Sequence, residues 1–246
     1  MGTGRTGRVT IDVMARQPRL ILPNQPHHLI QRGNDNVTLF RDDEDYTRFL
    51  AWLRESAKFY RVAIHAYVLL PDQLQLLATP ADEDGLALMM QKVGRLYVPW
   101  FNAKYDRSGT LFGGRFRTAV VDPVQYFLAS MRYIELQPVR LQQANDAAEY
   151  PWSSHAHHAG MRADALIADH AKFWELGNTP FQREAAYIAL AQQGLSMDEL
   201  ATIDAAVLKG GVLGSHAFKA ALEKKTQRQI LPAKRGRPFK VKPADA

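Results

Sequence analysis

Two apolar, β-rich runs, Val62 to Leu70 and Leu74 to Ala78, are parted by little more than the Pro71-Asp72 step. Proline presets the φ of a turn and aspartate bonds its own backbone, so the two runs are read as a β-hairpin. A helical pattern stands on either side. Asp42-Asp43-Glu44-Asp45 places acids where a helix start favours them, and Phe49, Trp52, Leu53, Ala57 and Tyr60 follow at helical spacing. Asp82-Glu83-Asp84 opens a second helix with Leu86, Met89, Met90, Val93, Leu96, Tyr97 and Trp100 on one stripe, and Pro99 is expected to kink or end it. A first strand falls at about His28–Gln31 and a fourth at Arg115 to Val121. A third helix is expected over Pro123 to Leu136, with proline at its first position and Pro138 just past its end. Strand, helix, strand, strand, helix, strand, helix is the order of an α+β, ferredoxin-like domain, one antiparallel sheet with helices on one face.

Beyond Tyr150 the pattern changes to short helical stretches, at about Ala163–Leu176, Pro180–Gln192, Ser196–Leu208 and His216–Lys225. Ser196-Met-Asp-Glu199 carries a capping box. The chain therefore divides into a disordered leader (1–17), the α+β domain (18–155), a small helical appendage (156–226) and a basic tail (227–246) expected to be disordered alone.

A hydrophobic content of 46% is enough for a sizeable core. The absence of cysteine rules out disulfides, thiolate zinc sites and thiol catalysis. No apolar run reaches the ~20 residues of a membrane span and none resembles a signal peptide, so a cytoplasmic protein is expected. The net charge of +6 is unevenly placed. Lys224 to Ala246 holds eight cations against Asp245, whereas the preceding 223 residues hold 23 basic and 24 acidic groups. A chain whose whole basic excess sits in a short tail is built to meet a polyanion, or else simply to keep that end solvated.

Four runs carry a family resemblance: His28-Leu-Ile-Gln-Arg-Gly-Asn34, His65-Ala-Tyr-Val-Leu-Leu-Pro-Asp72, Arg132-Tyr-Ile-Glu-Leu-Gln-Pro-Val-Arg140 and Tyr150-Pro-Trp-Ser-Ser154. In order and spacing they resemble the REP-associated tyrosine transposases, of the HUH single-tyrosine superfamily. The resemblance covers about His27 to Ser154, and extends more loosely to the closing Arg235-Gly-Arg-Pro238. It implies a chemistry in which a helix-borne tyrosine attacks a phosphate of single-stranded DNA beside a hairpin. A divalent metal, held by a His-x-His strand, polarises that phosphate. The resemblance places the nucleophile at Tyr133 and an amide-type third ligand at Gln137.

This chain departs from the family at the metal. Pro71-Asp72-Gln73-Leu74-Gln75 stands where the family has Pro-Asn-His-x-His, so both imidazoles are replaced by carboxamides. Gln73, Gln75 and Gln137 are thus degenerate ligand positions, suited at most to weak Mg or Mn binding, and no cofactor is expected. A solvent-facing role for the two strand glutamines and a packing role for Tyr133 are the plainer readings. His155, His157 and His158 lie close together but without a carboxylate or cysteine nearby in sequence, and a surface loop is expected there.

DNA contact is expected at two places. Lys234-Arg-Gly-Arg-Pro-Phe-Lys240 resembles an AT-hook, with Lys234, Arg235, Arg237 and Lys240 entering a narrow minor groove or binding phosphate without sequence preference. On the folded part, Arg107, Arg115, Arg117, Arg132 and Arg140 gather around the fourth strand and third helix, with Tyr105, Phe112 and Phe116 between them for base stacking. The leading expectation is a catalytically inactive, domesticated DNA-binding protein of the nucleoid, recognising hairpin single strand or A/T-rich duplex, with a homodimer implied by the resemblance. An active nickase working through Tyr133 and an RNA-binding regulator are the other two readings.

Overall fold

A computed structural model describes residues 19–231. The leader, and all of the tail beyond Leu231 with its AT-hook-like run, lie outside the described residues. The expected order of elements is present: β1 (His27–Arg32), α1 (Asp43–Phe59), β2 (Val62–Leu70), β3 (Gln73–Pro80), α2 (Gly85–Lys104), β4 (Arg117–Val121) and α3 (Phe127–Glu135). A helical turn follows immediately, α4 (Gln137–Arg140). The later part supplies α5 (His155–His158), α6 (Ala171–Trp174), α7 (Pro180–Gln193), α8 (Met197–Lys209), the two-residue β5 (Val212–Leu213) and α9 (His216–Thr226).

The sheet runs β2-β3-β1-β4-β5. Its first four strands pair antiparallel, and β5 adds in parallel to the β4 edge through Val120–Val212 and Val121–Leu213. The protein is α+β, as expected, with helices on both faces of the sheet rather than one. Leu29, Tyr67, Leu69, Leu74, Leu76 and Ala78 point to a core with α1 and α2. Ile30, Ala66, Val68, Leu70, Leu77, Ala119 and Val121 point the other way, to a second core with α3, α7 and α8. Side chains alternate along a strand, so a run apolar at both parities must be covered twice.

Three local expectations are corrected. Pro99 neither ends nor shortens α2, which runs on to Lys104. The helix core-facing stripe, with Tyr97 and Phe101 fully buried, holds the last turn in place despite the lost backbone bond. The third helix begins at Phe127 instead of Pro123, because the Asp122 carboxylate takes the Val124 amide and shapes a turn there. The stretch from Ala163 is helical only over the four residues of α6. The capping box at Ser196 does form, with Ser196 and Glu199 satisfying each other's backbone amides.

The Gly33 amide bonds the Asp72 carbonyl at 2.8 Å and so joins the first resembling run to the second. Gly33 leaves β1 where a Cβ would lie 2.0 Å from the Val37 carbonyl oxygen, so only glycine allows that return of the chain. The Tyr150–Ser154 run lies along the free edge of β2: Ser153 bridges Val68, the Ser154 amide bonds the Tyr67 carbonyl at 3.0 Å, and Trp152 stacks on Tyr46 at 4.5 Å.

Candidate active site and nucleic-acid interface

One cleft gathers every position that the sequence pointed to for chemistry. Gln73 and Gln75 occupy alternate places on β3, so both side chains leave the α3 side of the sheet. Tyr133 crosses above them from α3, and Gln137 follows one turn on in α4. With Ile30, Arg32, Arg140 and the α8 residues Met197, Leu200, Ala201 and Asp204, they line a cleft of about 370 Å³.

The polar atoms in this cleft are already matched to one another. Nε2 of the buried His28 donates to Gln75 Oε1 at 3.0 Å, and Nε of Arg32 donates to Gln73 Oε1 at 3.3 Å. An Nη2 hydrogen of Arg140 goes to Gln137 Oε1, and the same nitrogen reaches the Tyr133 carbonyl. The Arg140 guanidinium lies 4.5 Å over the Tyr133 ring. The Tyr133 hydroxyl donates to Asp204 on α8.

This donor set does not fit a divalent ion. Each carboxamide oxygen at a ligand position accepts from a nitrogen, and two of those nitrogens belong to guanidinium groups. An ion there would displace three hydrogen bonds and sit beside two fixed positive charges. What the cleft does fit is an anionic oxygen, since Arg32 and Arg140 present planar forks with donors to spare. Burial pushes the Tyr133 phenol above its usual range, and the hydrogen bond to the Asp204 carboxylate pushes it further. It stays a protonated phenol at any physiological pH.

The five arginines assigned to DNA on the folded part are dispersed by the structure. Arg140 lies in the Tyr133 cleft. Arg115 and Arg117 line a second cleft, of about 330 Å³, with Arg19, Lys209 and Arg228 and no acidic residue. Gln229 and Ile230 also line it, so the first residues of the tail pass along this basic cleft. Arg117 donates to the Leu208 carbonyl at 2.8 Å. Arg132 spends its guanidinium on the carbonyls of Leu190 (3.2 Å) and Gly194 (2.6 Å) at the end of α7, fastening that helix to α3. Arg107 bonds Asn102 in the last turn of α2 and the Thr110 carbonyl in the loop that follows. Of the aromatic residues between them, Phe116 is buried beneath Arg19, whose guanidinium lies 3.9 Å over the ring.

Two polar residues of the Tyr133 cleft were not singled out from the sequence. Arg32 lies inside one of the resembling runs, two strand positions from Ile30, and its alternation was a usable signal. Asp204 is 71 positions from Tyr133, and nothing local marks it.

The tyrosine-bearing α3 lies over β2 and β3 of a four-stranded antiparallel core, and this fold is like that of a REP-associated tyrosine transposase. The solved structure of the REP-associated tyrosine transposase bound to a REP hairpin matches this chain with a TM-score of 0.51 at 12% identity, over 64% of this chain and 92% of that one. A putative transposase from Deinococcus radiodurans R1 aligns at 18% identity over 52% of this chain and 94% of its own, with a TM-score of 0.36. The tRNA(His) guanylyltransferase from Saccharomyces cerevisiae aligns at 13% identity over 76% and 80%, with a TM-score of 0.37. At those two scores neither carries weight. No protein-family model and no curated protein matches the sequence. Among the described residues no helix is long and apolar enough to cross a membrane.

Proposed function

We propose that the chain is a DNA-binding protein derived from a single-tyrosine transposase, which holds a phosphodiester in the Tyr133 cleft without cutting it. The observation that carries this is the commitment of Gln73, Gln75 and Gln137 to Arg32, His28 and Arg140. A metal-dependent phosphate site has become one whose positive charge is supplied by arginine. Arg32 and Arg140 bind the phosphate, and Gln73 and Gln137 orient those two side chains. The similar transposase was captured with a REP hairpin, and hairpin-bearing single-stranded DNA is the ligand we assign to this cleft. The Arg115–Arg117 cleft and the tail that follows it extend the contact onto A/T-rich duplex. The role is regulation or chromosome organisation in the nucleoid, with two copies of the chain acting together.

Purified protein incubated with labelled hairpin-bearing single-stranded DNA and manganese is expected to give no covalent band on a denaturing gel. The same DNA should be shifted on a native gel. Asp204 offers the one route to a different outcome, because a carboxylate against the phenol is placed to act as a base. A covalent band lost in Tyr133→Phe would make the chain a nickase with Asp204 as that base, and the binding-only reading would fall.

The tail has its own test. Deleting residues after Leu231 removes Lys234, Arg235, Arg237, Lys240 and Lys242. The log–log salt dependence of duplex binding should flatten by about one unit for each phosphate that the tail no longer neutralises. Equal slopes with and without the tail would take it out of the interface.

A further inference from the structure

We infer that His157, His158 and Asp169 form a site for a divalent transition metal of zinc type, separate from the Tyr133 cleft. The sequence shows three histidines without an acidic partner, and the fold provides two. Asp169, in the segment leading to α6, brings Oδ1 to 3.3 Å from Nε2 of His157 and 3.9 Å from Nε2 of His158. One ligand atom from each of the three residues lies within 4.8 Å of the other two. Zinc bonds of about 2.0–2.1 Å in a tetrahedron hold neighbouring ligand atoms roughly 3.3 Å apart. One edge of the triangle already has that length, and the others close by side-chain movements within reach of half-buried groups.

The second carboxylate sets the orientation of the deepest ligand. Nδ1 of His158 donates to Glu135 Oε1 at 2.7 Å, so its Nε2 carries the lone pair. That Nε2 is buried, His158 being 1% exposed, and has no hydrogen-bond partner among the described residues. A buried imidazole nitrogen without a partner, aimed at a second imidazole and a carboxylate, has the form of a ligand fixed by an outer carboxylate. His157 and Asp169 are each about a quarter exposed, which leaves one face open for a water as fourth ligand. The ion has two hydrogen bonds to overcome: Nε2 of His157 donates to Asp169 Oδ1 at 3.3 Å and Nδ1 accepts the Asp164 amide at 3.1 Å, so the ring must move its proton to Nδ1 to coordinate through Nε2. Two imidazoles with one carboxylate favour zinc, cobalt or nickel over magnesium and calcium. Through Glu135 the ion would brace α5 against α3, the helix of Tyr133.

Full-length untagged protein, stripped with a chelator, should bind one equivalent of zinc in competition with a chromophoric chelator. With cobalt it should show the visible absorption of a four-coordinate site. Asp169→Asn and His157→Gln, both at half-buried positions and checked for folding by circular dichroism, should each weaken zinc by roughly 100-fold. Gln137→Ala, in the Tyr133 cleft, should leave zinc affinity unchanged. No stoichiometric zinc, or binding that survives Asp169→Asn together with His157→Gln, overturns the site. Loss of binding in Gln137→Ala overturns it as well, by moving the ion to the other cleft.

Discussion

Urea unfolding of this protein should give a steady stability above about pH 7 and a steep fall between pH 6.5 and 4. Three buried histidines set that window. Burial pushes His27, His28 and His65 each down to about 4, from an ordinary value near 6.5. In two of them both ring nitrogens are in use. His27 bonds the Gln25 carbonyl at 2.7 Å and accepts the Leu22 amide at 3.2 Å, while His65 meets the Ala168 carbonyl at 2.6 Å and the Thr79 hydroxyl at 2.8 Å. A ring that accepts through one nitrogen must be neutral, and a proton there would break the bond. The sign follows from which state binds protons first. The unfolded chain takes them up at about 6.5 and the folded chain only near 4. Acid therefore favours the unfolded state throughout that interval and full stability is present above it. Each ring contributes on the order of 3 kcal/mol, so three together can exhaust a stability of ordinary size. A stability that held level down to pH 5 would show that these rings accept protons in place.

The second large effect lies at Glu135. Its carboxylate is fully buried and receives the Ser154 hydroxyl, the Tyr187 hydroxyl at 2.7 Å and His158 Nδ1 at 2.7 Å, with His155 at 3.4 Å. Burial alone would raise it, but His158 and His155 beside it hold it well below the ordinary carboxylate range. Removing one partner from such a network strands all the others, which costs about 3–5 kcal/mol. Glu135→Leu keeps the volume and should lower stability by that amount, roughly 10 °C in melting temperature. Tyr187→Phe removes a single hydrogen bond and should cost nearer 1 kcal/mol. Equal effects in the two variants would mean that the carboxylate is solvated rather than networked.

How far the sequence foretold this structure depended on the range of the interaction involved. The hairpin at Pro71-Asp72, the acid-headed α1 and the capped α8 are local, and turn and capping chemistry marks each. The second layer of helices was also written there, in the Ala66–Leu70 run that is apolar at both strand parities, although its ferredoxin-like order pointed to one face. What stayed hidden joins distant segments. Two-residue β5 has no periodicity to detect. Asp204 and Asp169 are ordinary surface-type aspartates until the fold carries them to Tyr133 and to the histidines. Arg132 looks like a DNA contact on a helix, and only the end of α7 reveals it as a clamp. Tyr133, Gln73, Gln75 and Gln137 were brought together by resemblance, because nothing in their spacing alone requires a tyrosine helix to lie over β3.

The parallel pairing of β5 and the placement of Asp204 also bear on events at the ribosome. All four antiparallel strands and the tyrosine helix have emerged once Arg140 is clear of the exit tunnel. Met197–Lys209 and Val212–Leu213 appear only about seventy residues later, several seconds at ordinary translation speeds. Over that interval Tyr133 has no Asp204 to bond, the cleft has no wall from α8, and the β4 edge is uncovered. The nascent chain thus displays an open version of the cleft that the finished protein no longer presents.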